Sequence, residues 1–405
     1  MYLAQQNTTD RLRASGGRGR VAANILALGA VSLVTDVSSE MVTAVLPLYL
    51  VLGLGLSPLQ FGFLDGLYGG VTAIVRIAAG RAADRTRRRK LVAGIGYALS
   101  GVCKLLLPAA GAAVPMLGGV LAVDRAGKGI RTAPRDALIA ASSPPGMVGR
   151  SFGVHRAMDT MGALAGPLVA VGLLAITGNR YDTVFVASFC IAMVAVLLLA
   201  LFVRDQPPPA PATPRAAVPW AWTPPVRRAC AAAGLLGAVT IGDAFVYLLL
   251  QQRTNLPPTL FPLLPVGTAA GFLLLAVPFG RFADRFGRRT IFIAGHLALL
   301  LVYAVLLGPA AGIVSAVLVL ALHGTFYAAT DGVLMALLAP TLPAESATTG
   351  FATVQTAQAV ARLAAGIGFG AAWTAWGPGR ALMVAAAGLV AALGGSMMLL
   401  GRVDA

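Results

Sequence analysis

Apolar stretches of about 20 residues recur along almost the whole chain, and they constrain its fold more than any other feature. A helix of that length crosses the hydrocarbon core of a bilayer. Hydrophobic residues make up 58% of the 405 residues and charged residues only 11%, whereas soluble domains are about one-quarter charged. Because the chain lacks the charge that a soluble surface needs, we predict an all-α integral membrane protein.

Twelve segments are long and apolar enough to be transmembrane helices, six on each side of a proline-rich stretch. The predicted spans are 22–52, 61–80, 91–110, 114–141, 149–177, 182–203, 227–252, 262–280, 290–308, 311–339, 346–374 and 378–401. Proline disfavours helix, so the stretch between the two groups is predicted to be an extended connector. The predicted regions are a tail (1–21), an amino-terminal six-helix bundle (22–203), a cytoplasmic linker (204–226) and a carboxy-terminal six-helix bundle (227–405).

Lysine and arginine fall mainly on one side of this predicted topology. That side holds the clusters at 85–90 and 285–289, whereas the opposite loops hold only Arg180, Arg253 and Arg380. The positive-inside rule therefore places both termini in the cytoplasm of a multi-pass protein of the inner (plasma) membrane. The net charge of +16 thus reflects topology and contact with the lipid bilayer, and we expect no nucleic-acid partner.

A ten-residue phrase occurs twice, at an offset of 200 residues. GRAADRTRRR (80–89) and GRFADRFGRR (280–289) agree at seven of ten positions, and each lies between the second and third spans of its half. Internal repetition is typical of transporter folds. The pattern G-x-x-x-D-R-x-G-R-R/K resembles the signature loop of the major facilitator superfamily, although the first copy has Arg87 in place of a glycine. The resemblance covers essentially the whole chain and implies twelve helices in two bundles.

This resemblance also implies that the two loops latch the halves together on the cytoplasmic side in one state of a transport cycle. Asp84 and Asp284 are lone acids among basic residues, as a latch requires. The alternative is that the arginines only enforce topology. The latch residues are Gly80, Asp84, Arg85, Arg88, Gly280, Asp284, Arg285, Gly287 and Arg288.

Predicted span four carries six charges between strongly apolar runs. On a helix they occupy two adjacent stripes, one with Asp124, Lys128, Arg131 and Arg135 and the other with Arg125 and Asp136. Each charge at mid-membrane costs about 2.5–3.5 kcal/mol, so we expect partners or water around them. The expected partners in neighbouring spans are Asp36, Glu40, Asp65, Arg76, Lys104, His155, Arg156 and Asp159.

Two further motifs resemble those of exporters in the same superfamily. Arg125 and Gly129 fit the R-x-x-x-G of span four, which the family associates with proton coupling. The antiporter pattern G-x8-G-x3-G-P of span five is matched by Gly153, Gly162, Gly166 and Pro167. The resemblance therefore implies proton-coupled export by antiport. The alternative for the glycines is plain helix packing.

The second half has fewer polar residues, and their spacing puts them on common helix faces. The residues expected to line a central cavity are Asp243, Tyr247, His323, Tyr327, Asp331, Gln355, Gln358 and Arg362. His323 and Asp331 are too few for a metal site. Three cysteines lie in apolar helices without metal or redox spacing, and no nucleophile–base set appears. We therefore expect no metal, no cofactor and no enzymatic activity.

We predict a monomeric secondary active transporter that exports a small, possibly anionic, organic solute in exchange for protons by alternating access. Asp36, Glu40 and Asp159 are the expected proton carriers, and Arg125 and Lys128 would change their proton affinity and hold an anionic cargo. Arg131 and Arg135 would steer anions or face lipid headgroups. The alternatives are a proton-coupled importer or uniporter of the same fold, and a membrane receptor or assembly factor without transport.

Overall fold

The computed structural model is all-helical in the residues that it describes, which are 22–68, 71, 75, 88–144, 147–205, 222–309, 312–331, 333–338 and 347–401. The predicted all-α class is confirmed for these ranges. The predicted tail, residues 206–221 of the predicted linker and most of the second half of predicted span two lie outside them.

Fourteen helical segments follow one another in the described residues. A π-helical turn (Tyr49–Gly53) extends α1, and a 3-10 turn (Pro258–Leu260) precedes α9. The helices are α1 (Ala23–Leu48), α2 (58–68), α3 (Arg89–Ala109), α4 (Val114–Ser142), α5 (Val148–Thr177), α6 (Tyr181–Phe202), α7 (Pro224–Val239), α8 (Asp243–Thr254), α9 (Leu263–Phe286), α10 (Arg288–Leu307), α11 (Ile313–Thr330), α12 (Val333–Leu338), α13 (Ala347–Trp376) and α14 (Pro378–Leu400).

Nine helical stretches within the described residues are long and apolar enough to cross a membrane. Helix α4 is not among them, because it holds the six charges predicted for span four. It is nevertheless one continuous helix of 29 residues, which is longer than the roughly 20 residues that a bilayer crossing needs. The count of twelve spans and the cytoplasmic position of both termini stay predictions.

Predicted spans seven and ten are each interrupted, contrary to the single helices expected from the sequence. Helix α7 ends at Val239 and α8 begins at Asp243, while α11 and α12 form the two parts of span ten. In the first break the backbone N–H of Ile241 donates to the hydroxyl of Tyr303 over 3.0 Å, and that hydroxyl donates to the carbonyl of Val239 over 3.2 Å. Because unpaired backbone groups are costly in lipid, Tyr303 stabilises this break.

The helices on each side of the linker pack mainly on one another. We call residues 22–205 the amino-terminal set and residues 222–401 the carboxy-terminal set. In the amino-terminal set α1 packs on α5 and α6, and α3 packs on α4 and α6. In the carboxy-terminal set α9 packs on α11, and α7 packs on α13 and α14. The predicted boundaries of two separate six-helix bundles stay predictions.

Helices α2 and α13 bring the two sets into backbone contact. A Cβ on Gly62 would overlap the carbonyl oxygen of Gly366, and a Cβ on Gly370 would overlap that of Pro58. Gly62 and Gly66 on α2 have the G-x-x-x-G spacing, as do Gly366 and Gly370 on α13. This spacing allows close approach of helices in lipid, so the backbones of the two sets meet directly at Gly62 and Gly370.

Candidate functional site

Carboxyl groups from α1 and α5 meet inside the amino-terminal set. Asp36 and Asp159 lie within hydrogen-bonding range of each other, and their side chains are only 15% and 17% exposed. Arg131 Nη2 lies 3.7 Å from Asp36 Oδ1, and Arg135 Nη1 lies 3.6 Å from Asp159 Oδ1. A hydrogen bond between two carboxyl groups requires that one be protonated. The pair can therefore hold a single proton between α1 and α5.

A second charged group fixes α4 against α3. Arg125 Nη2 lies 2.6 Å from Asp124 Oδ2, and the hydroxyl of Ser100 donates to Asp124 Oδ1 over 2.5 Å. The Arg125 guanidinium also lies 3.7 Å above the ring of Tyr68, and Lys104 donates to the carbonyl of Ser100 over 3.2 Å. These buried charges have partners, as their cost in lipid requires.

Of the other residues predicted for the amino-terminal interior, some lie beside these charged residues and one lies outside them. Lys128 lies close enough to Glu40 and Asp36 to interact electrostatically with both. His155 is buried, with Nε2 2.8 Å from the hydroxyl of Ser32. Arg156 departs from the prediction, because its side chain is 77% exposed and reaches Asp159 from outside over 3.4 Å.

The predicted outer role of two arginines is likewise not what the structure shows. Arg131 is buried beside Asp36 and above the ring of Tyr97. Arg135 is largely buried and forms ion pairs with Asp136 and Asp159. Because both guanidinium groups are buried beside Asp36 and Asp159, their position favours interaction with these two carboxylates over the steering of anions.

A cavity of about 510 Å³ lies between the two sets, within the range of about 300–1,000 Å³ typical of small-molecule sites. Helices α1, α2 and α4 line one side, and α8, α9, α11 and α13 line the other. Five of the eight carboxy-terminal residues expected to line a cavity do so. The polar residues and tyrosines that line it are Glu40, Thr43, Asp65, Tyr68, Thr240, Asp243, Tyr247, Thr268, Tyr327, Asp331 and Arg362.

The other three predicted carboxy-terminal residues lie next to this central cavity. Gln355 and Gln358 line a neighbouring cavity of about 580 Å³, which shares Asp331 and Arg362 with the central one. His323 is buried behind the wall, with Nε2 3.4 Å from Asp243 Oδ1. The predicted helix faces thus come together around two connected groups of polar residues.

Asp65, expected from the sequence to be a partner for the charges of span four, lies on the wall of the central cavity. It extends from α2 to the break in span seven, where its Oδ2 would lie 2.5 Å from a Cβ placed on Gly242. It also lies close enough to Asp243 for the two carboxylates to repel each other. The signal in the sequence is that Asp65 and Tyr68 are three residues apart, which puts them on one face of span two.

The first copy of the repeated loop lies largely outside the described residues, and this includes Gly80, Asp84 and Arg85. Arg88 is described and is exposed immediately before α3. Neither observation brings this loop into contact with the carboxy-terminal set. The latch that the family resemblance implies for the first copy therefore stays a prediction.

The second copy of the loop joins α9 to α10. Gly287 has a φ of +93°, a conformation that residues with a Cβ rarely adopt, so the turn explains this glycine, whereas Gly280 has open space around it. Asp284 is exposed and lies 3.7 Å from Arg288. Arg288 in turn donates to the carbonyl of Ala336 at the end of span ten over 2.7 Å. These contacts hold helices of one set together, and a latch across the sets stays a prediction.

Two of the three glycines in the antiporter-like pattern serve helix packing. A Cβ on Gly162 would overlap the carbonyl oxygen of Leu33, and one on Gly166 would come within 2.7 Å of the carbonyl oxygen of Val37. Gly153 has open space instead, and Pro167 is buried within α5. The packing explanation accounts for the first two glycines, and the antiport that the pattern implies stays a prediction.

Within the described ranges, no group of three or more His, Cys, Asp or Glu residues is arranged to hold a metal ion. Cys103 is buried, Cys230 is partly buried and Cys190 is exposed, and all three are free thiols.

Known proteins resemble this chain in sequence and in fold. A chain of Mycobacterium tuberculosis, an uncharacterized protein, is 30% identical over 291 residues, which is 69% of both chains. An uncharacterized MFS-type transporter of Methanocaldococcus jannaschii is 33% identical over 209 residues, so the match spans 51% of this chain and about half (49%) of that relative. The structure of the nucleoside transporter NupG aligns with a TM-score of 0.79 at 14% identity, covering 93% of this chain and 99% of that one.

A peptide transporter of the POT family, solved in complex with sulfate, aligns with a TM-score of 0.76 at 17% identity and covers 96% of both chains. At such identities the likeness concerns the fold, which is that of membrane transporters. The family model of the Major Facilitator Superfamily matches residues 28–366. The chain therefore belongs to the Major Facilitator Superfamily.

Proposed function

We propose that this protein is a secondary active transporter that exports a small organic solute in exchange for protons, by exposing the central cavity alternately to the two faces of the inner membrane. The observation that carries the proposal is the Asp36–Asp159 pair, which lies one helical turn from Glu40 on the wall of the cavity. A place for a proton and a place for a solute are thus adjacent on α1.

The position of the carboxyl pair gives a physical route from proton to helix movement. With the proton bound, Asp36 and Asp159 attract each other and hold α1 on α5. Without it, two negative charges repel each other and turn to Arg131 and Arg135 instead. Because α1 also lines the cavity, a shift of α1 changes the walls around the solute.

The lining of the cavity supports a different cargo charge from the anion expected from the sequence. Neither Arg125 nor Lys128 is among the described residues that line it, and Arg125 is engaged by Asp124 and Tyr68. An organic cargo is consistent with structural neighbours that are named as nucleoside and peptide transporters.

The test is uptake into inside-out proteoliposomes with an imposed pH gradient, using labelled amines, carboxylates and nucleosides as probes. We expect an acid interior to increase uptake of at least one probe class about ten-fold. The Asp36→Asn/Asp159→Asn double variant should lose this dependence and retain solute counterflow, whereas Asp182→Asn, an exposed acid at the start of α6, should behave as wild type.

Other outcomes select among the alternatives. Uptake that ignores the interior pH would contradict antiport and leave a uniporter, and uptake driven by an acid exterior would indicate an importer. A protein that moves no probe in either direction, and whose Asp36→Asn/Glu40→Gln variant leaves the cellular phenotype unchanged, would instead be a receptor or assembly factor.

A further inference from the structure

The charge of the central cavity is opposite to that of the chain. Among the residues that the structure describes, four acids line it but only one base does, in a chain with a net charge of +16. The acids are Glu40, Asp65, Asp243 and Asp331, and the base is Arg362. With all five ionised, the lining carries three net negative charges, so the cavity attracts a positively charged solute.

Two of these acids come from opposite sets and converge at the break in span seven. Asp243 begins α8, and its Oδ1 accepts a hydrogen bond from Tyr327 over 2.6 Å. Its side chain is 45% exposed, and because it lines the cavity this exposure faces the enclosed space. Asp65 reaches the same break from α2 and contacts Gly242. Two repelling carboxylates at one point are stabilised by a cation between them.

A polar atom without a partner lies in the same cavity wall. Thr268 is only 5% exposed and lines the cavity. Its Oγ1 is near the hydroxyl of Tyr247 but makes no hydrogen bond of acceptable geometry with any described residue. A buried hydroxyl of this kind normally has a partner, so the wall holds a hydrogen-bonding group that no described residue uses.

Aromatic rings complete the wall. Those of Tyr68, Tyr247, Phe272 and Tyr327 line the cavity together with the four acids. The faces of aromatic rings attract organic cations by about 0.5–2 kcal/mol. An ammonium group has three N–H donors and no acceptor, so a wall of carboxylates, hydroxyls and rings matches it better than it matches an anion.

We propose that the cargo is an organic amine, whose ammonium group binds between Asp65 and Asp243 while its carbon skeleton lies against the aromatic wall. This rests on the proposed function, because it takes the central cavity as the transport site. Charge-assisted hydrogen bonds from the ammonium to both carboxylates then join the two sets through the cargo.

The test compares matched probes that differ only in the charged group. Thermal unfolding of the purified protein is measured with butylamine, phenethylamine and spermidine, each beside its fully N-acetylated form, and with 3-phenylpropionate. At least one amine should raise the midpoint by several degrees, and its acetylated form and the carboxylate should not. If no amine stabilises the protein more than its acetylated form does, the proposal is overturned.

Variants of Asp65 and Asp243 test where in the cavity the amine binds. Asp65→Asn and Asp243→Asn should each weaken the apparent affinity for the stabilising amine at least ten-fold, whereas Asp182→Asn, outside the cavity, should leave it unchanged. If an asparagine variant does not fold, the conservative Asp65→Glu or Asp243→Glu variant replaces it and should retain binding of the amine. Unchanged affinity in both asparagine variants would contradict this position for the ammonium group.

The failure of this proposal can be told from the failure of the proposed function by following protons in proteoliposomes. If a carboxylate or a nucleoside drives proton movement and no amine does, the amine proposal is wrong and proton-coupled transport stands. If an amine binds through Asp65 and Asp243 but moves no protons, the coupling is wrong and the amine site stands.

Discussion

The two sets use their buried charges in different ways. In the amino-terminal set Glu40 and Asp65 line the central cavity, but the other buried charges are mainly paired with each other, as Asp124 is with Arg125 and Arg131 with Asp36. In the carboxy-terminal set Asp243, Asp331 and Arg362 face the central cavity. Paired charges leave little field beyond the pair, whereas charges on a cavity wall act on whatever enters it.

This difference separates two tasks that the proposed transport requires. A proton can be held within the protein by groups that never contact the solute, which is the task proposed for the Asp36–Asp159 pair. A solute must be held by groups that open onto the pathway, which is the task proposed for Asp243 on the cavity wall. The predictions below test whether stability depends on the amino-terminal pairs and whether the cavity acids are dispensable for it.

The largest expected effect is from Asp124→Ala, which leaves Arg125 buried without its partner. The loss of one member of a buried pair costs about 3–5 kcal/mol, so the free energy of unfolding in detergent should fall by that amount. Asp331→Ala on the cavity wall should change it little, because Asp331 is exposed to the cavity. Equal losses in the two variants would remove the contrast between the sets.

Tyr327→Phe should have the next largest effect, because it removes the hydroxyl that donates to Asp243 over 2.6 Å. A hydrogen bond to a charged group contributes about 1.5–3 kcal/mol, which thermal unfolding would detect. The matched control is Tyr97→Phe in the amino-terminal set, where the buried hydroxyl has no hydrogen-bond partner among the described residues. We expect this control to be as stable as wild type, and a loss like that of Tyr327→Phe would show that its hydroxyl has a partner.

Gly162→Ala should destabilise the α1–α5 contact by about 1–3 kcal/mol, because its Cβ would overlap the backbone of Leu33. Gly153→Ala lies in the same helix and the same sequence pattern but has open space around it, so it should leave the melting temperature unchanged or raise it slightly. If both variants lose transport while only one loses stability, Gly153 has a role other than packing.

Tyr303→Phe should have the most local effect, a loss of about 1–3 kcal/mol, because it leaves the buried amide of Ile241 without a partner. The phenol oxygen joins Ile241 and Val239 across the break in span seven, so the change should appear locally as faster hydrogen exchange at the Ile241 amide. Exchange that is unchanged there would mean that the break does not depend on Tyr303.

The sequence predicts the helices better than it predicts their interruptions. Apolar length locates α1, α3 and α6 to within a few residues, because membrane crossing sets a minimum length. The breaks in spans seven and ten are different, because no proline marks either. Gly242 weakens the helix locally, but the break also needs Tyr303, which lies 62 residues away from Ile241 and is invisible to local patterns.

The residues of the candidate site are likewise only partly predictable from local sequence patterns. Helical spacing groups Asp243 with Tyr247 and Tyr327 with Asp331, and all four line one cavity. Spacing within one helix does not tell which neighbour a charge will meet, however. Arg125 pairs with the adjacent Asp124 and is therefore not on the cavity wall, whereas Asp65 reaches the cavity from a span with little other polar character.

The glycine contact between α2 and α13 has a mechanical consequence for alternating access. Where two helices touch through bare main chain, as at Gly62 and Gly366, fewer side chains must disengage before one helix rolls over the other. The two sets can tilt about this line of contact, and the walls of the central cavity then move apart or together. A bulky residue introduced at Gly62 would jam this motion even in a protein that still binds its cargo.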